Sequence, residues 1–353
     1  MAKIDELLRL LVDQQGSDLH IKAGEPPVFR IHGQLVRSGQ QVLAEPDTKA
    51  LLYEIMNDER RMKYERTNQL DMSYSIPGVS RFRVNVFRQR GAVGSVLRVI
   101  PLTIKSIDEL GLPPVMKKVC MLPRGLILVT GPTGSGKSTS LAAMIDLINE
   151  HRSCHIITLE DPIEFLHRDR KACINQREVG IDTHSFANSL KHVMRQNPDI
   201  ILVGEMRDLE TISLAITAAE TGHLVMATLH TADAAQTVDR IIDVFPPGQQ
   251  QQVRLQLSTT LQAIFSQTLL PKTDGQGRIV AYEVLLCTPA IRAMVREGKT
   301  HQLYSAIQSG AKFGMNTLDM HLKDLCLKGM VTLEEAMAKS SNPHEFEKMV
   351  MKV

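Results

Sequence analysis

The chain has 353 residues, of which 43% are hydrophobic, and its formal net charge at pH 7 is +2. A chain of this length and composition can bury a substantial core and is expected to form about two domains. The near balance of charge does not favour a protein that works by binding nucleic-acid phosphate, because such proteins usually carry a basic face or tail. The N-terminal sequence lacks the basic and apolar regions of a signal peptide, and no apolar run approaches the roughly 18 residues of a membrane span. We therefore expect a cytoplasmic protein without a transmembrane segment, which another protein would have to hold at a membrane.

The first hundred residues combine helix-like segments with short strand-like runs. Apolar residues at helical spacing predict an amphipathic helix over residues 3–13, and residues 47–64 also look helical. The runs between and after them alternate in hydrophobicity and are separated by glycine and proline turns. The predicted strands are Asp18–Ile21, Val28–His32, Gln34–Val36, Leu70–Ile76, Arg81–Arg88 and Ser95–Ile100. This pattern predicts an α+β domain, residues 1–100, built on an antiparallel sheet.

Arginines stand out on two of these strands. In the fifth predicted strand, period-two alternation places apolar side chains on one face and Arg81 and Arg83 on the other. Such a row is either a solvated sheet face or a set of side chains that reach a phosphate across a domain or subunit boundary. Arg98 lies inside the apolar run Val96–Ile100, where a charge must find a partner.

Turn residues between positions 101 and 114 predict a linker, after which the character of the sequence changes. Strand-like and helix-like segments then alternate, which predicts a parallel-rich sheet covered on both faces and an α/β domain over residues 115–353. A mostly helical region follows from residue 319. The predicted strands are Gly125–Thr130, His155–Leu159, Ile200–Val203 and Leu224–Thr228, and the helix after the first of them is Ser138–Asn149.

The stretch GPTGSGKST at residues 131–139 matches the phosphate-binding pattern G-x-x-x-x-G-K-[ST] and lies between a strand and a helix, as that pattern requires. Its glycines let backbone N–H groups turn towards phosphate oxygens, and the helix N-terminus adds its positive dipole end. Lys137 would reach the β- and γ-phosphates of ATP, and the Ser138 hydroxyl would bind Mg²⁺. The residues predicted to bind the nucleotide are Gly131, Thr133, Gly134, Ser135, Gly136, Lys137, Ser138 and Thr139.

Polar residues also follow three other predicted strands. Because ligands bind at the carboxyl ends of parallel strands, these residues are candidates for catalysis. Glu205 occupies the Walker B position and would bind Mg²⁺, partly through water, while Glu164 or Glu160 could supply the carboxylate that orients the attacking water. His230 ends a strand at the same edge and could sense the γ-phosphate, and His223 is the second candidate histidine.

The motifs taken together resemble those of the secretion ATPases: Walker A at 131–139, an Asp box at 158–165, Walker B at 203–208 and a His box at 221–231. The segment Ala290–Glu297 resembles the AIRNLIRE signature of the PilT-type pilus retraction ATPases, with substitutions at two central positions and one conservative exchange. Residues 17–20 and 81–85 are also similar to that family. The resemblance therefore spans nearly the whole chain.

This resemblance implies a PAS-like N-terminal domain, a RecA-like ATPase domain and a homohexameric ring in which nucleotide lies between the two domains. Arginines of the N-terminal domain would contact its phosphates. Matched onto this chain, these would be Arg83 and Arg98, with Arg81 as a third.

The resemblance also implies roles for the strand-end residues. Glu164 and Glu205 would be the catalytic and metal-associated acids, and His230 with His223 would couple nucleotide state to domain position. The implied function is that of an ATP-hydrolysing motor, peripheral at the inner membrane, which powers type IV pilus retraction. Its partner would be a membrane platform protein of the pilus.

Other functions remain open from the sequence. An accessory PilU-type pilus motor shares most of these motifs, although it generally lacks a good AIRNLIRE signature. A nucleotide-gated scaffold, or a DNA- or protein-exporting ATPase of the same superfamily, is also compatible with the motifs. Extension and type II secretion ATPases usually carry a long extra N-terminal region and a four-cysteine zinc site, and the five scattered cysteines of this chain form no such site.

Overall fold

A computed structural model describes residues 3–31, 33–100, 103–275 and 277–351. His32, the first two residues of the predicted linker and the last two residues of the helical tail lie outside the described residues. The chain divides into two compact units, Met1–Thr103 with Glu164–Leu166, and Ile104–Ile163 with His167–Val353. Among the described residues, no helix has the length and apolar character needed to cross a membrane.

The first unit contains, within its described residues, three helices and six strands. They are α1 (Lys3–Asp13), β1 (Gly16–Ile21), β2 (Val28–Ile31), β3 (Gln34–Arg37), α2 (Glu45–Tyr53), α3 (Asp58–Thr67), β4 (Gln69–Ile76), β5 (Ser80–Gln89) and β6 (Ala92–Ile100). The strands pair antiparallel in the order β3-β2-β1-β6-β5-β4. The predicted antiparallel sheet and its six strands are confirmed.

The alternation predicted for β5 is also confirmed. Phe82, Val84 and Val86 are fully buried in the core of this unit, whereas Arg83 lies exposed between them. Strict alternation is what a sheet with one face on a core requires. The arginines of β5 therefore stand on the face opposite the core.

The single helix predicted over residues 47–64 is wrong, because the segment forms α2 and α3. The break lies at Asn57, whose backbone is extended and whose side chain accepts a hydrogen bond from the Arg60 N–H at 2.9 Å. Asparagine is a preferred helix N-cap because its side chain satisfies an N–H group that the first turn leaves unpaired. The cap begins a new helix where apolar spacing alone suggested a continuous one.

The second unit is organised around a seven-stranded sheet. Its strands are β7 (Gly125–Thr130), β8 (His155–Glu160), β9 (Cys173–Glu178), β10 (Ile200–Val203), β11 (Leu224–Leu229), β12 (Leu261–Pro271) and β13 (Arg278–Leu286). The order is β13-β12-β7-β11-β10-β8-β9, and every pair is parallel except β12 with β13. The predicted parallel-rich α/β fold is confirmed.

Helices cover both faces of this sheet. They are α4 (Val115–Cys120), α5 (Lys137–His151), α6 (Phe186–Val193), α7 (Leu209–Glu220), α8 (Ala234–Asp243), α9 (Pro247–Thr260), α10 (Pro289–Glu297), α11 (Leu303–Ser309), α12 (Leu318–Leu327), α13 (Leu333–Met337) and α14 (Pro343–Met351). Leu126 and Leu128 of β7 belong to one apolar cluster, while Ile127 and Val129 belong to another. Because successive strand residues point to opposite faces, the sheet has a core on each side.

The predicted linker is partly packed. Ile107 and Leu112 are buried in an apolar cluster of the second unit that also contains residues of β7 and α5. Residues 104–112 therefore fold against the second unit.

Candidate active site

The loop that follows β7 depends on glycine at defined positions. Gly131 has φ of 140°, and a Cβ added there would lie 2.2 Å from the backbone oxygen of Gln267, so no larger residue fits. Gly134 and Gly136 have φ of 78° and 89°, in the left-handed region that favours glycine. Helix α5 then begins at Lys137 without a side-chain cap. Uncapped N–H groups at the start of a long helix suit an anion, and the loop has the local geometry of a phosphate cradle.

Lys137 lies within this loop and is only 9% exposed. Its Nζ donates hydrogen bonds to the carbonyl oxygens of Gly131 at 2.8 Å and Pro132 at 3.1 Å. The same atom lies 3.5 Å from Nδ1 of His230. These contacts fix the ammonium group at the loop, where a phosphate would meet it.

His230 and Glu205 meet beside this lysine because their strands are neighbours. Strands β7, β11 and β10 are adjacent and parallel, so Lys137, His230 and Glu205 all follow carboxyl ends at one edge of the sheet. Nε2 of His230 lies 2.9 Å from Oε1 of Glu205. The Arg207 guanidinium donates to the same carboxylate oxygen, and this hydrogen bond raises the pKa of Arg207 above its ordinary value.

Glu160 ends β8 at the same edge of the sheet and is held by two neighbours. Its Oε1 accepts hydrogen bonds from the Thr158 hydroxyl at 2.6 Å and from Nε2 of Gln176 at 3.0 Å. Two donors on one oxygen set the direction of this carboxylate.

Glu164 follows four residues later and has an exposed side chain. The segment before it is anchored, because the Ile163 N–H donates to Oε2 of the buried Glu178 at 3.2 Å. The structure thus brings Lys137, His230 and Glu205 into contact and leaves Glu164 as an exposed carboxylate.

His223 lies at the other end of β11 from His230. Its Nδ1 lies 2.9 Å from the Ala218 carbonyl oxygen, and its own carbonyl accepts from the Gly125 N–H at the start of β7. A six-residue strand spans about 20 Å. Within one chain His223 therefore lies away from His230 and the phosphate loop, and its coupling role stays a prediction.

The arginines of the first unit form part of a row across its sheet. Arg83 and Arg98 lie opposite each other on β5 and β6, and Nε of Arg98 donates to Oδ1 of Asp18 at 2.8 Å. Arg30 lies 3.5 Å from the other oxygen of that carboxylate. The partner that the sequence demanded for Arg98 is therefore Asp18. Arg81 donates to the hydroxyl of Ser73 at 2.8 Å.

The sequence of this chain matches a known protein family over almost its whole length. The model of the family described as type II/IV secretion system protein matches residues 1–338. The chain belongs to this family.

Two relatives within the type II/IV secretion system family come from one bacterium. The type IV pilus retraction ATPase PilT of Pseudomonas aeruginosa is 52% identical over 97% of this chain and 99% of its own length. The type IV pilus ATPase PilU of the same organism is 41% identical over 99% of this chain and 91% of its own length. The resemblance to the pilus retraction ATPases that the motifs indicated is confirmed.

A solved structure of a family member agrees with the fold. The crystal structure of the pilus retraction motor PilT with bound ADP is 48% identical and superposes with a TM-score of 0.93, covering 99% of this chain and 100% of that one. The chain is an ATPase of this family and binds nucleotide.

The donor set of the site fits a magnesium ion that enters with the nucleotide. No group of three or more His, Cys, Asp or Glu residues in the described ranges could hold a metal by itself. Magnesium usually binds through one or two protein oxygens together with substrate phosphates and water. Ser138, in the first turn of α5 and partly accessible, and Glu205 are oxygen donors of the right kind.

Sequence reasoning missed two contributors to the site. Arg207 was part of the Walker B stretch but had no assigned role, although its contact with Glu205 could have been suspected from its position two residues later. Gln267 contacts the phosphate loop from β12, and it belongs to none of the motifs. No signal in a single sequence could have found it.

Proposed function

We propose that this chain is the ATP-driven motor that retracts type IV pili. It would work as a homohexamer at the cytoplasmic face of the inner membrane, docked on the pilus platform protein, and withdraw pilin subunits from the base of the fibre. The observation that carries the proposal is the likeness to PilT over 97% of the chain, at 52% identity against 41% for PilU of the same bacterium.

The geometry supports ATP hydrolysis by positioning and charge neutralisation, which dominate phosphoryl transfer. The backbone N–H groups of the loop and the ammonium of Lys137 would hold the triphosphate. Ser138 and, through water, Glu205 would hold Mg²⁺, which neutralises charge on the phosphates when bound. His230 contacts both Lys137 and Glu205, so loss of the γ-phosphate would change the surroundings of all three side chains.

The carboxylate that orients the attacking water remains a choice between Glu164 and Glu160. Glu160 is already engaged by Thr158 and Gln176, which suits a residue that supports the site. Glu164 is exposed and suits a residue that reaches a water beside the phosphate. We therefore assign the catalytic role to Glu164 in this proposal.

The arginines of the first unit would complete the site in the assembled ring. Arg83 is exposed, and Arg98 is exposed beyond its contact with Asp18, so both can reach a phosphate; Arg81 is the third member of the set. Mixing Lys137→Ala chains with Arg98→Ala chains tests this part. Recovery of ATPase activity in a mixture of two variants that are each inactive alone supports arginines that act on a neighbour's nucleotide. A mixture that stays inactive, or full activity of Arg98→Ala alone, contradicts it.

The cellular experiment is deletion of the gene followed by imaging of labelled pili. Pili that extend but fail to withdraw, with retraction restored by the wild-type chain and not by Lys137→Ala, support the proposal. Retraction that is only weakened would instead support an accessory PilU-type motor.

Two biochemical measurements separate the remaining functions. ATP binding by the wild type without steady-state phosphate release would indicate a nucleotide-gated scaffold. Hydrolysis stimulated by nucleic acid, with steep salt dependence, would indicate a DNA-exporting ATPase.

A further inference from the structure

Gln267, a residue of β12 that lies far from the phosphate loop in sequence, contacts this loop. Gln267 is in the middle of β12 and is buried. Its Nε2 donates to the backbone oxygen of Ser135 at 2.7 Å, and its Oε1 accepts from the hydroxyl of Ser140 at 2.8 Å. The single amide thus joins the loop to the first turns of α5.

The backbone of β12 also approaches the start of the loop. A Cβ at Gly131 would lie 2.2 Å from the Gln267 carbonyl oxygen, and the hydroxyl of Thr130 donates to that of Ser266 at 2.8 Å. Ser266 and the backbone of Gln267 therefore contact the start of the loop, at Thr130 and Gly131. The side chain of Gln267 contacts the later part of the loop, at Ser135.

The hydrogen bond from Gln267 to the Ser135 carbonyl determines the direction of the Gly136 N–H, which can donate to a phosphate oxygen. In a trans peptide the C=O of Ser135 and the N–H of Gly136 point to opposite sides of one rigid plane. Fixing the carbonyl towards β12 fixes the N–H away from β12, where the loop presents its N–H groups to an anion. The restraint matters because Gly136 has φ of 89° and glycine leaves the adjoining peptide free to rotate.

We propose that Gln267 is a positioning residue for nucleotide binding, which holds the Ser135–Gly136 peptide in its phosphate-binding orientation before nucleotide arrives. Such preorganisation increases affinity because the ordering cost is met during folding. The inference rests on nucleotide binding by the loop, as in the proposed function, and is independent of the direction in which the motor moves.

The first test compares Gln267→Leu with the wild type in titrations with ADP carrying a methylanthraniloyl fluorophore. Leucine has a similar size but leaves Ser135 O and the Ser140 hydroxyl without this partner. We expect the Kd for the ADP analogue and the KM for ATP to rise by about tenfold, a change typical of losing one well-placed hydrogen bond. Gln251→Glu and Gln251→Leu, on the exposed face of α9, are the matched controls and should bind as the wild type does.

The second test uses Gln267→Glu and does not depend on the stability of the leucine variant. A neutral glutamic acid can donate its O–H to Ser135 O and accept from Ser140, whereas an ionised one can no longer donate and repels the carbonyl. Burial raises the pKa of such a carboxyl into the range where the experiment is done. We expect near wild-type affinity for the ADP analogue at pH 5.5 and about tenfold weaker binding at pH 8.5.

Other titrating groups are accounted for by the comparison with the wild type. Lys137 lies on α5, and Tyr282 lies opposite Gln267 on β13, where its ring stacks on His321. Burial raises the pKa of Tyr282 and lowers that of His321 to about 4, so neither changes charge between pH 5.5 and 8.5. At each pH, the Kd of Gln267→Glu for the ADP analogue is divided by the Kd of the wild type. Contributions from Lys137 and from ADP itself are common to both proteins and cancel in this ratio.

The outcomes separate this inference from the proposed function. If the wild type binds no ADP analogue, the proposed nucleotide site itself fails. If the wild type binds and Gln267→Leu stays within twofold of it, or Gln267→Glu follows the wild-type pH course, only the positioning role is overturned. A pH-dependent loss confined to Gln267→Glu supports it, because a residue that merely filled space would not rescue binding on protonation.

Discussion

His230 bridges Lys137 and Glu205. Its Nδ1 lies 3.5 Å from the lysine Nζ and its Nε2 lies 2.9 Å from the carboxylate Oε1. An ammonium group can only donate, so Nδ1 acts as the acceptor and Nε2 carries the proton that the carboxylate accepts. The two contacts set the orientation of the imidazole from both sides.

Removing this bridge should affect turnover more than binding. In His230→Ala, Lys137 keeps its bonds to Gly131 and Pro132, so the Kd for ADP should stay within about threefold, while kcat falls by about tenfold or more, as is typical for one lost positioning group. Steady-state phosphate release and ADP titration measure the two quantities. His192→Ala, an exposed histidine of α6, is the control. A parallel loss of binding and turnover would contradict the bridging role.

The two candidate carboxylates can be ranked by isosteric substitution. We expect Glu164→Gln to lower kcat by about 100-fold without weakening ADP binding, because an amide cannot orient or deprotonate water as a carboxylate does. Glu160→Gln should have a smaller effect, since Oε1 of Glu160 already accepts from two protein donors. Single-turnover hydrolysis by the two purified variants decides the order. The reverse ranking would move the catalytic role to Glu160.

The buried carboxylate of the first unit should contribute to its stability in a pH-dependent way. Burial acts to raise the pKa of Asp18, but hydrogen bonds from Arg98 and Ser17 outweigh it and hold the pKa below its ordinary value. A lowered pKa in the folded state stabilises at pH values above the unfolded pKa, and this contribution is lost as the pH falls through the folded one. Asp18→Asn should therefore destabilise by about 1–2 kcal/mol at pH 7, since Arg98 is largely solvated.

Urea unfolding at pH 7 and below pH 4 tests this expectation. The difference between Asp18→Asn and the wild type should shrink at the lower pH. Asp13→Asn, at the exposed end of α1, should match the wild type at both. A difference that does not depend on pH would show that charge on Asp18 is not what stabilises the sheet.

Glu283 should produce the opposite pH dependence in the second unit. It is buried in β13 and accepts from the Ala234 N–H at 2.8 Å. Burial raises the pKa of Glu283 to about 7, against the effect of that hydrogen bond, with Asp233 and Asp319 adding to the rise. The folded state then keeps a proton that the unfolded chain releases, so stability falls as the pH rises from about 4.5 to 7 and is level above that.

Glu283→Gln, which stays neutral, should therefore lack this fall. It should match the wild type near pH 4 and exceed its stability at pH 8 by up to about 3 kcal/mol, because each pKa unit corresponds to about 1.4 kcal/mol. Thermal unfolding across this range measures the difference, with Glu334→Gln on the surface of α13 as the control. Parallel curves for wild type and Glu283→Gln would refute the assignment.

Local patterns predicted much of the fold from the sequence. The strands β7 and β10 were predicted at their observed bounds, since short apolar runs bounded by turns are distinctive in a parallel sheet. The predictions failed where a single polar side chain decided the structure, as at Asn57. They also omitted β9, β12 and β13, because the pairing of these strands is settled by contacts between distant parts of the chain.

The site was predictable to the extent that its residues lie in local motifs. Strand-end reasoning placed Lys137, Glu205 and His230 at one edge, because the order of parallel strands leaves their carboxyl ends together. His223, the other candidate histidine, precedes its strand, so strand-end reasoning says nothing of its position. Gln267 could not be found in this way, since its role depends on β12 pairing with β7, more than a hundred residues away.

The hairpin of β12 and β13 brings α12 close to the phosphate loop, although the two are far apart along the chain. Gln267 holds the phosphate loop and stands opposite Tyr282, whose N–H donates to Nδ1 of His321 on α12 at 3.2 Å. One residue pair and two hydrogen bonds thus separate the loop from α12. We therefore expect substitutions on α12 beside His321 to alter ATP affinity through these contacts without contacting ATP.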